Sequence, residues 1–70
     1  MIEMTHFRLN GQLYLISESI TLIELIQYFN YTSLLLVLEY NNVICNKEDW
    51  KNIFLKKNDT IEILTIVGGG

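Results

Sequence analysis

Thr5-His6-Phe7-Arg8-Leu9-Asn10-Gly11-Gln12-Leu13-Tyr14-Leu15-Ile16 is the stretch from which the fold can be read outward. Two β-prone runs, residues 5–9 and 12–16, flank Asn10-Gly11. A two-residue type I′ turn needs positive φ at both central positions, and Asn followed by Gly tolerates this best. The stretch therefore predicts a hairpin, with Phe7, Leu9, Leu13 and Leu15 as its inward-facing set. The polar residues 17–19 break the pattern.

Downstream, Thr21-Leu22-Ile23-Glu24 has the form of a capping box. The Thr hydroxyl can accept from a free backbone N–H while the Glu reaches back to the cap. Leu22, Leu25, Ile26 and Phe29 then fall at i, i+3, i+4 and i+7, a stripe suited to lie across a sheet. Asn30 tolerates the left-handed conformation that ends helices, so the helix should stop there. Residues 34–40 read as a fully buried strand, Asn41-Asn42 as a second turn and residues 43–45 as a short strand. Residues 46–54 read as irregular, with one helical turn at 47–50. Lys56-Lys57-Asn58-Asp59 reads as a polar loop, and residues 60–67 as the last strand. One helix segregated to one face of a small sheet is the α+β class. The element order resembles the β-grasp, or ubiquitin-like, arrangement: a mixed sheet of four to five strands crossed by one helix, with the final strand beside the first. The expected organisation is one domain, residues 1–67, followed by a flexible glycine tail, residues 68–70.

Composition narrows the function. Seventy residues allow one domain, half of them apolar. The single cysteine excludes an internal disulfide and an all-cysteine metal or iron–sulfur site. A net charge of −3 and a pI near 4.8 argue against nucleic-acid binding. The longest apolar run, residues 34–38, is far too short to span a membrane. Neither a signal peptide nor a targeting segment is recognisable, so a soluble protein of a reducing compartment is expected. The abundance of Ile, Asn, Lys, Tyr and Phe, residues of AT-rich codons, points to a low-GC genome. Bacterial cytoplasm or plastid stroma is the expected location.

No catalytic constellation emerges. His6 has no nucleophilic or acidic partner at telling spacing and reads as a solvent-exposed or edge histidine. Cys45 could carry sulfur on its thiol, but no adjacent cation would lower its pKa, and it reads as a small residue tucked against the sheet. Lys56-Lys57 reads as a solvated loop, Glu48-Asp49 as the start of a helical turn rather than a metal site, and Trp50 as a core or rim anchor. No metal or cofactor is expected on this chain.

The C-terminus differs. An α-carboxylate is ionised at neutral pH, with a pKa of roughly 3.3–3.7, and is a competent oxygen nucleophile. Three glycines reach roughly 10 Å beyond Val67 and, lacking Cβ atoms, can thread a narrow channel and leave the terminal carbonyl open to attack. Such a tail directly abutting an apolar strand points to Gly70 as the reacting residue, with Gly68 and Gly69 threading a partner's active site.

Leu9-Asn10-Gly11, the Thr21-led helix, residues 47–50, Asn58-Asp59-Thr60-Ile61-Glu62-Ile63 and above all Val67-Gly68-Gly69-Gly70 resemble the ThiS family, the sulfur carriers of thiamine biosynthesis. The resemblance covers nearly the whole chain from Thr5 onward. Asn58-Asp59 stands where the family often has Gly-Asp, and Asn41-Asn42 where it often has Asn-Gly. Asn is the non-glycine residue best able to adopt positive φ, so both turns should survive. Residues 1–4 form a short extension.

The resemblance implies a protein co-substrate, not an enzyme. A ThiF-type adenylating partner using ATP with Mg would activate the Gly70 carboxylate. A persulfide donor would supply sulfur for a Gly70 thiocarboxylate, and a ThiG-type thiazole synthase would receive it. The sheet face opposite the helix should expose some of Leu64, Ile66, Val67, Tyr40 and Val43, with Leu64, Ile66 and Val67 as the partner-binding set. Three alternatives stand beside this reading: a MoaD-like small subunit of molybdopterin synthase, a ubiquitin-like protein modifier, and a β-grasp interaction module without C-terminal chemistry.

Overall fold

The computed structural model describes residues 3–31 and 35–65. Strands β1 (Thr5–Leu9) and β2 (Gln12–Ile16) are followed by helix α1 (Leu22–Tyr28), then by β3 (Leu36–Tyr40), β4 (Val43–Cys45), a 3-10 turn (Lys47–Asp49) and β5 (Thr60–Thr65). The strands form one sheet in the order β2-β1-β5-β3-β4. β5 runs parallel to β1 and antiparallel to β3, so the sheet is mixed and the last strand lies beside the first.

Both hairpins are set by their turns. Asn10 and Gly11 have φ of 50° and 82°, and Asn41 and Asn42 have 53° and 71°. Positive φ at both central positions matches the turn's twist to that of the strands, and the Asn-Asn pair achieves it without glycine. Asn58 is likewise left-handed at 70°.

The first hairpin corrects the expected inward set. A two-residue turn pairs Leu9 with Gln12, Phe7 with Tyr14 and Arg8 with Leu13. Paired residues share a face, so Phe7 and Leu9 enter the core together with Tyr14 and Ile16. Leu13 and Leu15 point the other way, 51% and 60% exposed. β3 differs in degree from the expected fully buried strand. Leu38 alone is fully buried, its neighbours are half-buried, Leu35 is exposed, and Leu34 lies outside the described residues. Among the described residues no element covers the face of β3 away from the helix.

Thr21 starts α1 with both halves of its capping box. Its hydroxyl accepts from Glu24 N at 3.3 Å, and its own N–H donates to Glu24 Oε1 at 2.9 Å. The next free N–H groups are also satisfied: Leu22 donates to Ile53 O and Ile23 to Trp50 O. The segment after β4 thereby docks on the helix start. α1 ends in a Schellman pattern. Asn30, at φ 58°, donates to Gln27 O, and Tyr31 donates to Ile26 O.

Leu22, Leu25 and Ile26 bury the helix stripe against Phe7, Leu9, Leu38, Ile61 and Ile63, and Trp50 and Leu55 close the core from the side. Trp50 is the largest fully buried side chain, and its indole N–H donates to Cys45 O at 3.1 Å. Phe29 joins the helix end to the hairpin through an edge contact with Tyr14, centroids 5.1 Å apart. Among the described residues no helix is long and apolar enough to cross a membrane.

Candidate functional site

The described chain ends on β5, the strand that leads to the glycine tail. Ile66, Val67, Gly68, Gly69 and Gly70, all named as site residues from the sequence, lie outside the described residues, as does the expected boundary between domain and tail. The structure therefore bears on how that strand is held and what surrounds it.

The start of β5 is tied on both sides. Arg8 N donates to Asp59 O and Asn10 N to Ile61 O, each at 2.9 Å, which is the β1 side of the ladder. On the other side Asn41 brackets Thr60: Asn41 N donates to Thr60 O, and Thr60 N donates to Asn41 Oδ1, both at 2.8 Å. Asp59, read from sequence as part of a polar loop, is buried at 6% exposure. Its Oδ2 accepts from the Tyr40 hydroxyl and from Lys56 N, each at 2.7 Å, and its Oδ1 accepts from Asn41 Nδ2 at 3.1 Å. A buried carboxylate is tolerated when its lone pairs are occupied in this way. Burial, followed by the Asp59 hydrogen bond and charge, pushes the Tyr40 phenol up to about 12. Lys56 N lies three residues before Asp59 in the same turn, but Tyr40 and Asn41 come from the β3–β4 turn, and only the finished sheet brings them to the carboxylate.

Ile61 and Ile63 alternate into the core, while Glu62 and Leu64 face the open side. Register places Val37 beside Leu64 and Ile44 beside Glu39 on that same side. The open face thus carries Leu13 and Leu15 on β2, His6 and Arg8 on β1, Leu64 on β5, Val37 on β3 and Ile44 on β4, with Glu39 and Glu62 directly opposite each other on β3 and β5. Leu64 is 59% exposed there and Ile44 67%. Two of the residues expected on this face belong to the other. The Asn41-Asn42 turn pairs Tyr40 with Val43, and Tyr40 also pairs with buried Ile61, so both sit on the helix side. Val43 is exposed there because it lies on the edge strand. Ile44, Leu13 and Leu15 were missed, although counting outward across each two-residue turn finds them.

The other candidates have structural settings. His6 is half-buried on β1, an interior strand, with Nε2 2.6 Å from Asn58 Oδ1. Cys45 is half-buried, and its thiol donates weakly to Asn46 O at 3.8 Å. Burial, and then the Asp49 charge, push that thiol up and keep it protonated. Glu48 and Asp49 form part of the 3-10 turn, and Lys56 and Lys57 are exposed. An apolar groove of about 380 Å³ opens between β2 and α1, lined by Tyr14, Ile16, Tyr28 and Phe29 among others, and includes no residue of β5.

Among the described residues, the strand that leads towards the C-terminus is held on both sides at its start. The model of the ThiS family matches the chain over residues 7–70. The chain belongs to the ThiS family. Uncharacterized protein ycf40 of Trieres chinensis is 56% identical to it over 64 residues, covering 91% of this chain and 88% of the relative. Uncharacterized protein ycf40 of Porphyra purpurea is 30% identical over 63 residues, covering 90% and 89%. Among solved structures, the thiamine biosynthesis protein ThiS from Geobacter metallireducens superposes with a TM-score of 0.80, covering 94% of this chain and all of that one. At 23% identity this likeness shows the shared β-grasp fold. As a ThiS-family protein the chain is a ubiquitin-like sulfur carrier, and carriers of this kind are not themselves enzymes.

Proposed function

We propose that the chain carries sulfur as a thiocarboxylate on Gly70 and delivers it to a thiazole synthase of thiamine biosynthesis. The observation that carries this reading is the ThiS-family match, which runs through the final strand to Gly70 itself. A ThiF-type partner binding ATP with Mg supplies the activation. The Gly70 carboxylate oxygen attacks the α-phosphorus and pyrophosphate leaves, giving an acyl-adenylate. A persulfide sulfur then attacks the carbonyl and AMP departs. A second thiol cleaves the resulting S–S bond and leaves sulfur on the carbonyl. The partners supply cations and exclude water. This chain supplies an ionised carboxylate on a handle, with residues 1–67 as the folded domain and Gly68 and Gly69 slender enough to enter a channel.

The open sheet face is the proposed docking surface, with Leu64, Ile66 and Val67 closest in sequence to the tail. Exposed Leu13, Leu15, Ile44 and Leu64 support this, because scattered exposure is ordinary but several large apolar side chains on one face are not. Leu64→Glu should raise the KM for adenylation at least tenfold while leaving the thermal midpoint nearly unchanged. An unchanged KM would remove Leu64 from the interface. A plastid stroma or bacterial cytoplasm is the proposed setting. Residues of AT-rich codons dominate the chain, and homologues named ycf40 are plastid-encoded.

The test of the acceptor is reconstitution. Thiocarboxylated protein incubated with a ThiG-type synthase and its substrates should yield thiazole phosphate, and a chain extended by one residue after Gly70 should yield none. Product from the extended chain would refute the proposal, as would sulfur transfer to a pterin precursor in place of thiazole.

A further inference from the structure

The two edges of the sheet are not alike. β2 and β4 lie at the ends of the strand order, and among the described residues neither pairs with a further strand. β4 is three residues long, and so short an edge templates little pairing. β2 runs for five residues, Gln12–Ile16, with no proline and no charge among them, and its register with β1 is unbroken by a bulge. Edges of that length are ordinarily blunted by one of these devices. The hairpin register says which backbone groups are free. Leu9 and Gln12 flank the two-residue turn and exchange hydrogen bonds, and so, two places on, do Phe7 and Tyr14. The N–H and C=O groups of Leu13 and Leu15 therefore point away from β1, out along the open edge. The same alternation turns Arg8 N towards β5, where it donates to Asp59 O.

A groove lies beside that edge. Tyr14 and Ile16 turn to the helix side, and with Ile20, Tyr28 and Phe29 they line the apolar groove of about 380 Å³ between β2 and α1. Among the described residues Glu18 is the one charged side chain in its lining. We propose that this edge and groove form a docking site for an extended peptide segment of another protein. The segment adds beside β2 as a sixth strand. Its backbone pairs with Leu13 and Leu15, and every second side chain enters the groove. Main-chain hydrogen bonds supply affinity in this mode, while the pocket selects the side chains. The occupant is thus a run of alternating apolar residues, β-branched ones fitting best, with a lysine or arginine placed to meet Glu18. The groove includes no residue of β5, so the site is separate from the proposed carrier chemistry.

The probe is the peptide acetyl-Lys-Val-Thr-Ile-Thr-Val-Lys-amide, titrated into the isotope-labelled full chain and followed by backbone amide shifts. Saturable shifts should appear at residues 13–16 and at Tyr28 and Phe29, and the Leu13 and Leu15 amides should exchange more slowly with peptide bound. Leu15→Pro removes one outward N–H while sparing the β1 ladder, and should weaken binding about tenfold. Tyr28→Ala, at an exposed position, should weaken it about fivefold through the groove, and Glu18→Lys about threefold. Peptides N-methylated at the threonines, or at the apolar residues, keep the test on the wild-type chain. The set whose amides face β2 should lose at least about tenfold in affinity. Binding unchanged by Leu15→Pro, or by both methylations, would overturn the edge pairing. No shift with peptide in the millimolar range, or shifts centred on Ile44 and Leu64 of the open face, would overturn the proposal as a whole. So would concentration-dependent shifts of Leu13 and Leu15 in the protein alone, because a second copy would then take the edge.

Discussion

At the β3–β4 turn, Asn41 grips Thr60 by backbone and side chain and also bonds Asp59, whose carboxylate binds Tyr40 and Lys56 N as well. At the β1–β2 turn, Asn10 grips the same strand from the opposite side with one backbone bond to Ile61 and one side-chain bond to Ile63. Both turns are two residues long, and both place Asn first with positive φ. They differ in redundancy. The start of β5 is fixed by a cluster in which several groups must fail together, while its outer half depends on one amide on the β1 side. Within the described residues the strand is anchored redundantly at its start and by a single side-chain contact on the β1 side further along.

Asp59→Ala breaks the comparison most severely. Removing the carboxylate strips acceptors from Tyr40, Lys56 N and Asn41 at a buried site, and should cost about 2–4 kcal/mol by urea unfolding. A loss below about 0.5 kcal/mol, the range of an ordinary surface change, would show that the cluster is not an anchor. Asn41→Gly and Asn10→Gly sharpen the contrast. Each keeps the turn accessible to positive φ, so the difference reads the side-chain bonds. Asn41→Gly should cost about 1–2 kcal/mol and Asn10→Gly about 0.5–1 kcal/mol. The reverse order would mean that the Ile63 bond carries more of the fold than the Asp59 cluster.

The smallest effect is a pH dependence. The Tyr40 phenol is raised in the folded state from 10.0 to about 12, so the fold favours its protonated form. Its contribution is fully present below pH about 10 and is lost as pH rises through about 12. Unfolding followed across that window should show a decline in wild type that is reduced in Tyr40→Phe. Parallel curves would mean that the phenol does not contribute through Asp59.

Much of the architecture was legible because its signals are local. Asn10-Gly11 specified a hairpin, Thr21 with Glu24 a helix start and Asn30 a helix end. Each is a matter of backbone conformation or of a hydrogen bond within a few residues. Leu13 and Leu15 were misplaced because hydrophobicity alone was allowed to choose the inward face. Pairing across a two-residue turn puts Tyr14 opposite Phe7 whatever the side chains prefer. The same counting would have moved Tyr40 and Val43 to the helix side. Asp59 could not be found from sequence, since its burial depends on turns brought together only by the finished sheet. The reading of Gly70 is of another kind, and Gly70 lies outside the described residues. It rests on the chemistry of a chain end beside a terminal strand rather than on a pocket assembled from distant residues.

The most direct test of the account is the intact mass of the protein after incubation with ATP, Mg, a ThiF-type enzyme and a persulfide donor, beside a chain lacking Gly70. The account predicts gain of one AMP, then replacement of one oxygen by sulfur, with neither change in the shortened chain. An unchanged mass with an enzyme shown to be active, or the same changes in the shortened chain, would contradict it.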